Sequence, residues 1–202
     1  MAFDISSILN SVATILSTYG LPGLFIVSFI AAFAIPIPAY VVLAGAGALA
    51  AQGEMNIAVV LLVALAGNVS ADILGYFLAR KYGKEILRKI GFNRLLDSSV
   101  FLTMEQSIKD FPQTIIYVTR LITEAGPIVN ILSGLSGISY RTFIIFDILG
   151  EASYVSLFGL SGYYLGDAWK NNTNFIFKGL IALTLFALLL GIVRKISLKL
   201  SN

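Results

Sequence analysis

The chain has no cysteine and no histidine, and none of its fourteen Lys and Arg residues precedes Arg80. The missing cysteine removes disulfides and thiolate chemistry; the missing histidine removes imidazole metal ligands, histidine bases and histidine pH sensing. A serine nucleophile would need another base such as lysine, and the lysines sit at the edges of the apolar runs. No cofactor or metal site is in view, and enzymatic chemistry ranks last. Charge itself is scarce: 12% of the 202 residues are charged and 57% are hydrophobic, more apolar surface than one soluble core of this length can hide. The expected class is an all-α integral membrane protein, a single membrane domain over residues 1–202. Met1 to Asn10 lacks a basic n-region and reads as mature sequence rather than a signal peptide. The net charge of +3 lies beside apolar spans, as topology signals do, so nucleic acid is not an expected partner.

What is present is a repeat. Pro38 and Gly45 are matched at the same spacing by Pro127 and Gly134, and Gly75-Tyr76-Phe77-Leu78-Ala79 is echoed by Gly162-Tyr163-Tyr164-Leu165-Gly166. Paired, interrupted apolar segments in two halves point to a binding site near the membrane midplane. The first repeat unit covers 20–80, where Gly20-Leu21-Pro22-Gly23 divides one apolar stretch. Phe25 to Ala51 then reads as a re-entrant hairpin with its tip at Pro36 and Pro38. Met55 to Ala79 is long enough to cross a hydrocarbon core of about 30 Å. A mixed-charge segment at 81–111 reads as interfacial helices on the cytoplasmic side. The second unit covers 112–167, with a broken segment from Pro112 to Gly137 and a crossing from Thr142 to Leu165. After a polar turn at Asp167 to Asn174, 175–193 reads as a C-terminal transmembrane helix. Placing the basic Arg80 to Lys109 region and the tail at Arg194, Lys195 and Lys199 in the cytoplasm makes the two hairpins open to opposite sides, which inverts the repeat.

Ionisable side chains at membrane depth cost about 2.5–3.5 kcal/mol each unless partnered. Asp72, Arg120, Glu124, Asp147 and Glu151 are the candidates. Arg120 and Glu124 are spaced to pair along one helix face, either as a self-satisfied bridge that shapes the hairpin or as a partly neutralised cation for a phosphate-like head group. Asp72 has no basic residue in its own half, so Arg120 is its expected counter-charge across the repeats. Asp147 and Glu151 share a helix face at a separation that repels unless a proton or cation intervenes, or unless one faces water. Tyr76, Tyr163, Tyr164 and Trp169 read as interfacial anchors; Gly45, Gly75, Gly134 and Gly162 as close-packing positions; and Arg80, Lys81, Arg88 and Lys89 as a basic patch suited to anionic lipid.

The run from Gly67 to Gly83, with Asp72, Tyr76, Arg80 and Gly83 in place, resembles the Gly-Asp, Tyr, Gly-Arg, Gly pattern of the DedA family, also called the SNARE-associated Golgi protein or VTT-domain family. Arg120, Gly134, Phe143, Gly150, Tyr163 and Gly166 extend the resemblance, which covers about residues 20 to 167. The chain departs at Ala31 and Tyr40, where members often carry glutamate, at Gly126 and Thr123, where the pattern has arginine and proline, and at Glu124 and Glu151, where it is usually small. The resemblance implies opposed re-entrant hairpins and movement of lipids across the bilayer, polyprenyl-phosphate carriers and phospholipids included, with proton coupling proposed for some members. The leading expectation is a lipid translocase, flippase or scramblase, in the plasma membrane of a prokaryote. Its partners would be anionic or polyprenyl-phosphate lipids, a homo-oligomer is allowed, and the C-terminus is cytoplasmic. The rivals are a proton- or ion-coupled transporter of a small anion and a non-transporting organiser that binds lipids or partner proteins.

Overall fold

The computed structural model describes residues 5–33, 39–89, 98–121 and 126–165. These form seven helices and no strand: α1 Ile5–Ala32, α2 Ala39–Ala51, α3 Ile57–Lys89, α4 Ser99–Asp110, α5 Pro112–Arg120, α6 Gly126–Leu135 and α7 Tyr140–Leu165. Ile57–Glu85 and Tyr140–Leu165 are long and apolar enough to cross a membrane. Pro36, Pro38, Glu124, Trp169, the polar turn and the 175–193 helix lie outside the described residues.

The breaks in the helices have local causes. Pro22 lacks an N–H and crowds the turn before it, and Gly20 takes up the bend at φ 56°, in the left-handed region where a side chain is disfavoured. The expected interruption of the first apolar stretch therefore falls at Gly20. The first crossing helix does not stop at Ala79; α3 runs on to Lys89 and bends at Gly83 (φ 61°). The second crossing begins at Tyr140, two residues ahead of the expected start, because Ser139 Oγ accepts the Thr142 N–H at 3.2 Å and caps the helix there.

The two halves share their hinge chemistry. α2 ends with the Gly53 N–H bonded to Ala50 O (3.1 Å) and the Glu54 N–H to Leu49 O (3.2 Å); α6 ends with Gly137 bonded to Gly134 O (3.3 Å) and Ile138 to Ser133 O (3.1 Å). Both are Schellman ends on a positive-φ glycine. Each is followed by a side-chain cap on the next helix, Asn56 on α3 and Ser139 on α7.

Core packing orders the long helices. One cluster joins Leu24, Leu43, Val60, Ala64, Val155 and Phe158; a second joins Tyr76, Ile108, Ile116, Leu132 and Phe143. α3 passes from the first cluster to the second with rising number and α7 passes the other way, so these helices lie antiparallel. Their shared face steps by four in opposite directions: Asn68 meets Glu151 and Tyr76 stacks on Phe143 with ring centroids 4.4 Å apart. Small residues allow the remaining crossings. A Cβ at Gly162 would fall on the Ala44 carbonyl, and one at Gly47 on the Gly159 carbonyl, so α2 lies tightly on α7. A Cβ at Gly134 would meet the Tyr76 carbonyl and sit 2.9 Å from Ala79 Cβ, so α6 lies tightly on α3. Gly47 is the glycine of α2 over which α7 passes.

Candidate functional site

Between the two apolar clusters, α3 and α7 turn polar on the same face. Asn68 and Asp72 follow Val60 and Ala64 at four-residue steps on α3, while Asp147 and Glu151 follow Phe143 on α7. The charge that meets them comes from α5, whose last residue is Arg120. A cation there also suits the negative end of the helix dipole.

Arg120 is 3% exposed and each of its guanidinium nitrogens faces a different carboxyl group. Nη2 is 2.8 Å from Asp147 Oδ1, Nη1 3.6 Å from Asp72 Oδ2, and Nε 3.9 Å from Glu151 Oε1. Two amides complete the arrangement. Asn130 of α6 accepts from Arg120 Nη2 through Oδ1 and donates from Nδ2 to Asp72 Oδ1 at 2.6 Å; Asn68 Nδ2 donates to Glu151 Oε2 at 2.7 Å. All six residues are under 9% exposed. Four of the five candidate charges thus occupy one site, built by α3, α5, α6 and α7. With all groups ionised it holds one positive and three negative charges, and both Asp147 oxygens have no hydrogen bond among the described residues. No group of three acidic side chains is placed to share a metal ion among those residues.

Glycine explains how the arginine reaches its place. A Cβ at Gly150 would lie 2.6 Å from Arg120 Cγ, so the arginine stem crosses α7 where the side chain is missing. A Cβ at Gly126 would lie 3.0 Å from Arg120 Nη1. The position where the family pattern has a second arginine is therefore one over which the first is already folded.

The other motif residues hold the frame. Tyr76 is fully buried, which corrects its reading as an interfacial anchor: its ring packs on Phe143 and its Oη donates to Ile138 O at 2.6 Å. Arg80 Nη1 donates to the same carbonyl and to Tyr76 Oη, both at 2.6 Å, which ties α3 to the turn after α6. Tyr164 is 76% exposed and Tyr163 packs beside the first cluster. Glu105 of α4, outside the spans, pairs with Lys84 near the end of the first span at 2.6 Å, and Lys109 joins at 3.0 Å. Burial pushes the Glu105 carboxyl up, but the two ammonium groups outweigh it and hold it below the usual carboxylate range.

Pro127 and Asn130 also line a cavity of about 350 Å³ with Phe33, Ala71, Gly75 and Ile131. It adjoins the charged site, since Asn130 belongs to both. Asn68 stands with Asp72 inside the first crossing, but neither it nor Asn130 is among the sequence-derived candidates. Asn68 could have been, because it stands one turn before Asp72 inside the same apolar run.

Buried charge on antiparallel apolar helices of membrane-spanning length fits an α-helical membrane protein. The VTT domain family matches residues 35–164, more than half of the chain, which therefore belongs to that family, the DedA family of membrane proteins. It is 28% identical over 162 residues to an uncharacterized membrane protein of Buchnera aphidicola, covering 78% of this chain and 62% of the relative's length. It is 23% identical over 168 residues to undecaprenyl phosphate transporter A of Bacillus subtilis, covering 83% of each, and 23% identical over 153 residues to protein DedA of Escherichia coli, covering 74% of this chain and 69% of the relative. No solved structure matches the chain. These bacterial relatives and the apolar helices place it in a prokaryotic membrane.

Proposed function

We propose that the protein is a lipid translocase that passes anionic phospholipid or polyprenyl-phosphate head groups between leaflets, with Arg120 as the head-group site. The observation that carries this reading is a buried guanidinium held by carboxyls on the two helices long and apolar enough to cross a membrane, adjoining an apolar cavity through Asn130. Its planar fork fits phosphate oxygens. The similarity to a relative named as an undecaprenyl phosphate transporter supports a lipid phosphate as cargo.

In the structure each guanidinium nitrogen faces a protein carboxyl, so phosphate must displace them. Three acids on one base make that exchange one of charge: a proton or cation arriving at Asp147 or Glu151 weakens their hold on Arg120 and opens a face to the anion. Asp72, tied through Asn130, keeps the guanidinium oriented. Glu124, four residues beyond Arg120, is a further acid for the same exchange.

Opposed re-entrant hairpins, α1 with α2 and α5 with α6, would bring this site to both leaflets. The reading is supported by the antiparallel α3 and α7, the paired glycine ends, and the reciprocal packing of α2 on α7 and α6 on α3. Because each return helix rides on the crossing helix of the other half, rocking the halves would separate α3 from α7 at Arg120.

The test is leaflet exchange of a fluorescent anionic lipid in proteoliposomes. Exchange by the wild type that falls to the empty-vesicle rate with Arg120→Ala supports the reading; equal rates in all three refute it. Solute flux without lipid exchange would select a small-anion transporter. Sensitivity at Arg88 and Lys89 with a silent Asp72→Asn would select a lipid- or partner-binding organiser.

A further inference from the structure

We propose that the cavity beside Asn130 seats a hydrocarbon chain of the lipid whose head group Arg120 receives, an inference that rests on the translocase reading. Ala71, Gly75, Leu78 and Tyr82 recur at three- and four-residue steps and form its α3 wall, with the end of α1 and the start of α6 opposite. From Ala71 to Gly83 that wall runs about 18 Å at the helical rise. Its inner end lies beside Asp72 and Asn130. Its outer end is lined by Tyr82 and Gly83, at the bend of α3. The cavity therefore runs from that bend to Asn130, which accepts from the buried guanidinium.

The lining chooses the occupant. Ordered water needs two to four polar partners. Here the polar groups are Asn130 and the Tyr82 tip, and Asn130 already serves Arg120 and Asp72. The other walls are aliphatic, aromatic or glycine. Phe33, Leu78, Tyr82 and Ile131 at the rim are each 40–45% exposed, so the cavity opens sideways, where the surrounding solvent is lipid. An elongated apolar guest, admitted sideways and ending at the asparagine that accepts from Arg120, is the chain of an amphiphile with an anionic head. Gly75 sets the width: a Cβ there would sit 3.5 Å from Asn130 Cβ, an ordinary contact, so Gly75→Ala narrows the cavity without forcing the backbone.

The experiment uses the full chain in liposomes doped with phosphatidylglycerol carrying a mid-chain diazirine, with adducts located by mass spectrometry after irradiation. Labelling at Leu78 and Ile131 is expected to exceed that at Leu62 and Ile145, which are exposed away from the cavity. Gly75→Leu should lower it about tenfold, the loss expected when about two methylenes are excluded, and Gly75→Ala should lower it by less. Leu62 labelling should not change. Cavity labelling no higher than at Leu62 overturns the inference, as does labelling indifferent to both substitutions; if Gly75→Leu does not fold, Gly75→Ala and the wild-type ratio decide. A labelled cavity with no leaflet exchange would keep the chain site and sink the translocase reading, whereas exchange with an unlabelled cavity would do the reverse.

Discussion

Removing the one cation and removing one of the three anions at the buried site should have unequal costs. At an effective dielectric constant of about 20, contacts of 2.8, 3.6 and 3.9 Å correspond to gross attractions of about 6, 5 and 4 kcal/mol between Arg120 and Asp147, Asp72 and Glu151. Desolvation cancels most of this. Arg120→Gln nonetheless leaves three carboxyls facing one another, and a broken buried pair costs about 3–5 kcal/mol. Asp147→Asn keeps an oxygen for Nη2, relieves repulsion from Asp72 and Glu151, and leaves two acids for the arginine. Its expected cost is under about 1 kcal/mol, with either sign. Reversible unfolding in mixed micelles measures both. Adding Asp147→Asn and Glu151→Gln to Arg120→Gln should recover most of the loss, as coupled neighbours do. Equal destabilisation by Arg120→Gln and Asp147→Asn, or no recovery in the combined variant, would refute the idea that acids are in excess here.

Three further outcomes are expected. Gly134→Ala should destabilise by about 1–3 kcal/mol, because its Cβ would meet the Tyr76 carbonyl, whereas Gly75→Ala should be tolerated; thermal unfolding compares them. Tyr76→Phe should cost about 0.5–1.5 kcal/mol, since Arg80 still reaches the Ile138 carbonyl, and a cost near that of Tyr76→Ala would be contrary evidence. For Glu105 the folded carboxyl is held low, so the unfolded chain takes up the proton first and the stabilisation is present above the usual value of 4.5. It is lost as pH falls through the folded value. The difference in melting temperature between wild type and Glu105→Gln should therefore shrink as pH drops from 6 to about 3, and a constant difference would contradict the assignment.

The charges were legible because apolar surroundings make them conspicuous: Asp72, Asp147 and Glu151 stand alone in their runs, and four-residue spacing fixes a shared face. Their convergence on Arg120 was argued from charge balance for Asp72 only, since the register of α3 against α7 depends on packing that no local pattern records. The asparagines are not among the candidates for a related reason. A neutral amide leaves no charge to balance and so does not name its partners, yet Asn130 is the link between arginine, aspartate and cavity. Tyr76 was misread because aromatic residues next to cations commonly mark a membrane edge; here the cation, Arg80, is itself turned inward onto the Ile138 carbonyl. The small residues of α2 mark a close helix approach in the sequence, but spacing within such a run does not say which of them faces the neighbouring helix; Gly47 does.

The head-group role of Arg120 is tested most directly where folding cannot confound it. Proteoliposomes carrying Asp147→Asn with Glu151→Gln are compared with the same variant bearing Arg120→Gln, following leaflet exchange of an anionic lipid. The account predicts exchange above empty vesicles in the first, with little dependence on pH, and exchange at the empty-vesicle rate in the second. Equal exchange by the two folded variants would contradict it.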